Sequence, residues 1–208
     1  MITRNAVLAA AALAVVLGGW HLGEGLWLQG KAGLAQVLLR TAWERTLAEQ
    51  TGHRPWPWAD TMPVAQLQVP RLGVDQVVLA GASGRTLAFA PGHATGTPYP
   101  GAPGNSIVSG HRDTHFAFLK RLRTGDRLLV RAGDGVWHEY EVRTLSVVHT
   151  EHAYLESAVG EKRLILVTCY PFDALRAGGP LRYVVTAVLV EPLVARRGAD
   201  SGAEHVQV

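Results

Sequence analysis

Leu164-Ile165-Leu166-Val167-Thr168-Cys169 is an apolar run that ends on the only cysteine of the 208-residue chain, with Tyr170-Pro171-Phe172 directly behind it. Its length and its β-favouring side chains read as a strand, closed off by the proline. A thiol in mid-strand fills core, whereas one at the mouth of a strand is placed for chemistry. A lone cysteine excludes an intramolecular disulfide and a cysteine-rich zinc site within one chain. The thiol is therefore either inert packing or the working group.

Working outward, residues 182–191 form a second apolar run, reached through a long loop that carries Gly178-Gly179. If the two runs pair antiparallel, the end of the first lies beside the start of the second, and Cys169 and Arg182 become cross-strand neighbours. Arg176, inside the loop, is the rival cation. Upstream, residues 105–110 are strand-like and lead straight into His111-Arg112-Asp113. Further short strands are expected over 64–69, 74–79, 127–131 and 137–148, the last two joined by the hairpin turn Gly133-Asp134-Gly135. A helical turn fits 85–89 and a short helix fits 116–122. Seven or eight short strands with few helices indicate a mainly β fold, a closed or nearly closed barrel.

The N-terminal part reads differently. Residues 6–22 are almost uninterruptedly apolar, a run near the lower limit of roughly 17 residues for a spanning helix. Leu17-Gly18-Gly19 is a poor cleavage site and apolar character resumes at Leu26-Trp27-Leu28, which favours an uncleaved anchor over a signal peptide. Arg4 on the short side places the N-terminus in the cytoplasm and the bulk of the chain outside. Residues 31–49 read as an amphipathic helix with Leu34, Leu38, Ala42, Trp43 and Leu47 on one stripe, packing on its own domain. Gly52 ends it, and Pro55-Trp56-Pro57-Trp58 is a stiff linker. The expected organisation is a cytoplasmic N-terminus at 1–5, a transmembrane anchor at 6–28, a helix and Pro/Trp linker at 29–60, a catalytic barrel at 61–191 and a polar tail at 192–208. The net charge of +3 comes from scattered arginines without a basic run, so no nucleic-acid partner is expected.

A cysteine nucleophile needs a group that forms or stabilises its thiolate and a cationic or N–H-rich site for the oxyanion. His111 suits the first role and Arg182 the second, with Thr168 as a further donor at the same mouth. Gly110 allows close approach of backbone or substrate. Asp113 either orients the imidazole or caps a helix starting near Thr114; the cap is the preferred reading. Each residue alone has a plainer explanation. A single apolar-strand cysteine is usually buried, and nine histidines offer accidental pairings. His111 and His115 are four apart like zinc ligands on a helix, but no glutamate follows His111 and no third ligand is legible. No metal and no cofactor are expected.

With these residues in place, the chain resembles the sortases, membrane-anchored cysteine transpeptidases. The resemblance rests on Ser109-Gly110-His111-Arg112-Asp113-Thr114-His115-Phe116, Leu166-Val167-Thr168-Cys169 and Leu181-Arg182-Tyr183-Val184-Val185, in that order. The first motif looks most like class D-type sortases, and with Trp56-Pro57-Trp58-Ala59-Asp60-Thr61 most like the proteobacterial class GN group. It implies a sortase-like barrel with His111 as acid/base, Cys169 as nucleophile and Arg182 as substrate or oxyanion stabiliser. Thr168 matches the family threonine, and His93 falls where a structural or substrate-lining residue stands. The implied partners are a membrane-anchored protein with a C-terminal Leu-Pro-x-Thr-Gly-like sorting signal, an amine acceptor and the inner (plasma) membrane, with the catalytic domain on the periplasmic side. Three alternatives stand beside this reading. A caspase-like cysteine protease lacks its local signature here. A cysteine L,D-transpeptidase usually carries Ser-His-Gly-Cys, where this chain has Leu-Val-Thr-Cys. A non-catalytic, membrane-anchored binding barrel with a buried thiol is the third.

Overall fold

The computed structural model describes residues 4–152, 160–174 and 178–190. Helix α1 (Arg4–Glu49) leads into eight strands: β1 (Pro63–Val69), β2 (Val74–Ala80), β3 (Gly92–His93), β4 (Gly104–Ser109), β5 (Arg127–Ala132), β6 (Trp137–His149), β7 (Lys162–Cys169) and β8 (Leu181–Leu189). A short helix α2 (Gly84–Leu87) and 3₁₀ turns at Pro70–Leu72, Ala117–Arg121 and Thr150–His152 complete the elements among the described residues. The strands close into a barrel in the order β1-β2-β3-β4-β7-β8-β6-β5, with β5 returning to β1. The expected mainly β barrel is therefore present, with eight strands among the described residues. β3 is the one that the sequence pattern does not predict, because two residues carry no alternation.

β7 holds a central place. It pairs parallel with β4 and antiparallel with β8, so Leu164, Ile165 and Leu166 are buried in succession on both faces. That is why the sequence there runs apolar without alternation. Leu164 and Leu166 point into the barrel against Leu67, Phe116, Leu128, Tyr140 and Val185. The buried Tyr140 hydroxyl accepts a 2.7 Å hydrogen bond from the Gly101 N–H, and burial pushes its pKa up. On the outside, Arg71 grips Asp126 through two bonds of 2.6 Å, which hold this carboxyl below the usual carboxylate range.

The N-terminal part departs from expectation. The sequence predicts an anchor followed by a separate amphipathic helix; the structure has one helix, α1, of 46 residues and about 69 Å at 1.5 Å per residue. No proline interrupts it, and its glycines cost helix stability without breaking it. Among the described residues no helix is long and apolar enough to cross a membrane. The expected packing stripe is also shorter. Leu39, Ala42 and Trp43 are buried and, with Leu39 at its centre, the helix packs on Val77, Leu79 and Ala90, whereas Leu34 is exposed. Gly52 follows the helix without a left-handed φ; that conformation falls on Gln50. A Cβ on Gly52 would lie 2.4 Å from the Met62 sulfur, so the glycine serves close packing there. The Pro/Trp segment lies against the domain, with Trp56 edge-on to Phe89 at 5.2 Å. The tail at 192–208 lies outside the described residues.

Candidate active site

The register of two strand pairs assembles the site. In the parallel β4–β7 pair, Ser109 lies opposite Val167. Two residues further along each chain, His111 and Cys169 leave the barrel on the same rim. In the antiparallel β7–β8 pair, Cys169 lies directly opposite Arg182, the neighbour relation expected from sequence. Side chains alternate along β7, so Thr168 faces inward with Leu164 and Leu166 while Cys169 is half-buried on the outer face. The strand registers thus bring His111, Cys169 and Arg182 to the same end of the β4–β7–β8 wall, His111 exposed and Arg182 partly covered.

The groups around them are tied down in detail. The Gly110 N–H donates to the Val167 carbonyl at 3.1 Å, and the Thr168 hydroxyl donates to the Gly110 carbonyl at 2.7 Å. The Thr168 side chain is thereby held inside the barrel. Its hydroxyl is buried and committed to the Gly110 carbonyl, because an inward-facing polar group in the barrel must be paired. Gly110 is required by Phe116: a Cβ there would lie 2.7 Å from the ring. The turn after His111 is closed by the Phe116 N–H donating back to the His111 carbonyl at 2.9 Å.

Asp113 does not cap. The short helix starts at Ala117 with Phe116 in the cap position, and the Asp113 carboxylate instead accepts from Arg112 Nε at 3.2 Å. His93 is buried in β3, lies 2.9 Å from the Pro98 carbonyl through Nε2 and stacks on Tyr99 at 4.8 Å. Arg182 Nη1 donates to the Gly179 and Leu181 carbonyls at 2.7 and 2.9 Å, which anchors the guanidinium at the base of the loop. Arg176 lies outside the described residues. Sequence reasoning gives Arg112 no role, yet it is 4 % exposed and bonds across to the loop behind Cys169. The Ser-Gly-His-Arg-Asp motif contains the signal, but a neighbouring arginine looks like a surface charge until its loop is placed.

A groove of about 640 Å³ runs over the outer face of β4, β7, β8 and β6. Ile165, Val167, Val184 and Thr186 floor it, Arg182 stands at the Cys169 end, and Glu161 and Arg163 stand at the other. His115, half-buried beside His111, is held below the ordinary histidine range by burial first and by the His111 charge second. Among the described residues, no three of His, Cys, Asp and Glu gather as a metal-binding group.

Comparison with known proteins gives this arrangement its family. Residues 67–190, the barrel from β1 to the end of β8, match the family model of the sortase domain. The chain belongs to the sortase family. Sortase D of Bacillus subtilis (strain 168) is 31% identical over 120 residues, a match that spans 57% of this chain and 60% of that relative. Among solved structures, the Sortase D5 transpeptidase of Clostridium perfringens superposes with a TM-score of 0.62 at 22% identity, covering 76% of this chain and 99% of that one. Sortase C-1 from Actinomyces oris does so with a TM-score of 0.55 at 30% identity, covering 62% and 75%. A class D-type sortase fits the motif around His111 and these relatives together.

Proposed function

We propose that this sortase is a cysteine transpeptidase acting on a C-terminal sorting signal of the Leu-Pro-x-Thr-Gly type. The observation that carries the reading is the rim itself, where the β4–β7 and β7–β8 registers bring His111, Cys169 and Arg182 to one end of the wall, beside a groove with a largely apolar floor.

In the first step, the Cys169 thiolate attacks a backbone carbonyl, forming a C–S bond and a tetrahedral oxyanion beside the Arg182 guanidinium. The intermediate collapses with cleavage of the C–N bond, and protonated His111 gives its proton to the leaving amine. A thioacyl enzyme remains. In the second step an incoming amine attacks the thioester and loses a proton to His111. The C–S bond breaks, and the acyl group leaves as a new amide.

The membrane belongs to the same proposal. Leu13, Val15, Val16, Trp20, Leu22, Leu26 and Trp27 on α1 are exposed, with no part of the barrel covering them. This supports a role for the 6–28 segment as a membrane anchor that holds the catalytic domain on the extracytoplasmic side. Confinement to one surface raises the effective concentration of enzyme and a membrane-held substrate.

The test is a transfer assay with the full chain, a Leu-Pro-x-Thr-Gly peptide and an added amine, followed by mass spectrometry. The expected result is a cleaved peptide joined to the amine in wild type and none in Cys169→Ala. Intact peptide in both, with Cys169 inert to thiol reagents until denaturation, would favour a non-catalytic barrel instead.

A further inference from the structure

His111 is bracketed. On its N-terminal side, Gly110 is bound to Val167 and Thr168, the two residues before Cys169. On its C-terminal side, Arg112 donates from Nη1 to the Pro171 carbonyl at 2.8 Å and from Nη2 to the Ala174 carbonyl at 2.7 Å, in the turn directly after Cys169. The turn is held from the other side by Phe172, packed edge-on against Tyr183 at 5.1 Å. Each reacting group therefore sits between two attachments to the segment that carries the other.

We propose that Arg112 is a positioning residue for the Cys169–His111 pair: its buried guanidinium links the turn behind His111 to the turn behind Cys169 and so fixes the imidazole against the thiol. The inference rests on the reading of these two residues as the reacting pair. The chemistry of the link explains the residue type. Two carbonyls of one turn need two parallel N–H donors in a fixed plane, which the guanidinium fork supplies and a single ammonium does not. Nε keeps its bond to the solvent-facing Asp113, so the buried cation has its counter-charge at the edge of the site. Orientation of this kind is worth a great deal, since a misplacement of about 1 Å at a reacting group costs about 10²-fold in rate.

The experiment uses the full chain and needs no substrate. Cys169 alkylation by iodoacetamide is followed as a function of pH in wild type, His111→Ala, Arg112→Lys and Arg112→Gln, with thermal unfolding alongside. The expected result is that His111→Ala loses the His111-dependent part of the profile. Arg112→Gln, still folded, should superimpose on His111→Ala, and Arg112→Lys, which can serve one carbonyl, should lie between it and wild type. Folded Arg112 variants whose profiles follow wild type while His111→Ala departs from it would overturn the bracket and leave the transpeptidase reading intact. Identical profiles in wild type and His111→Ala would overturn both. Loss of the fold in both Arg112 variants would assign the residue to stability alone and overturn the proposal.

Discussion

The rim that carries Cys169 and the helix α1 solve opposite problems. At the rim, position is set by register and by buried polar bonds: Ser109 opposite Val167, Cys169 opposite Arg182, Thr168 to Gly110 and Arg112 to Pro171 and Ala174. Along α1, position is set by burial that stops halfway. Leu39 and Trp43 are 0 % and 3 % exposed, whereas Trp20 and Leu26 are 67 % and 74 % exposed. Atoms that must meet are fixed by directional bonds, because apolar packing alone leaves tenths of an ångström undecided. The first half of α1 has no such demand. Its exposed apolar side chains between Leu13 and Trp27 belong to neither buried cluster.

The largest effect that would break this contrast lies at the rim. Arg182→Ala is expected to lower kcat for peptide transfer by about 10²–10³-fold, the scale of losing one oxyanion donor, while Cys169 still reacts with thiol reagents. Unchanged kcat would remove Arg182 from the chemistry. The two halves of α1 are separated by a matched pair. Trp43→Ala should cost about 3–5 kcal/mol of unfolding free energy in denaturant titration, and Trp20→Ala should stay within about 0.5 kcal/mol. Equal losses would mean that the exposed half supports the domain after all.

A smaller effect sharpens the account of the rim's packing. Gly110→Ala places a methyl 2.7 Å from the Phe116 ring and should cost about 1–3 kcal/mol through overpacking. Trimming the ring in the double variant with Phe116→Leu should recover part of the cost specific to the clash. The smallest effect is one of pH. Burial and the His111 charge lower the folded pKa of His115, so the unfolded chain binds the proton more readily. Wild type should therefore lose stability as pH falls through about 6.5, the ordinary histidine value, and the loss should level off below the folded pKa. In His115→Gln that part of the pH dependence should vanish; its persistence would place it on another group.

Much of this is legible in the sequence for stated reasons. Seven of the eight strands among the described residues announce themselves through β-type runs and glycine turns. The antiparallel return from β7 to β8 makes Cys169 and Arg182 neighbours on the strength of two run ends and the loop between them. The parallel β4–β7 pairing is not legible in this way. Its partners are 58 residues apart in sequence, and nothing local fixes which strands adjoin or in which register. The same blindness hides Arg112, whose partners lie in that distant turn, and misdirects the reading of Asp113. Its local option, a helix cap, loses to the neighbouring guanidinium. The continuity of α1 escapes the sequence reading because apolar anchor and amphipathic stripe look like two segments, although no residue between them ends a helix.

The account stands or falls on Cys169 as the attacking atom. Its most direct test is the intact mass of the full chain, quenched during incubation with a Leu-Pro-x-Thr-Gly peptide and mapped by proteolysis. The expected result is an acyl adduct on the peptide containing Cys169, absent from Cys169→Ala and discharged when an amine is added. Peptide transfer without any adduct on Cys169, or an adduct that persists in Cys169→Ala, would contradict it.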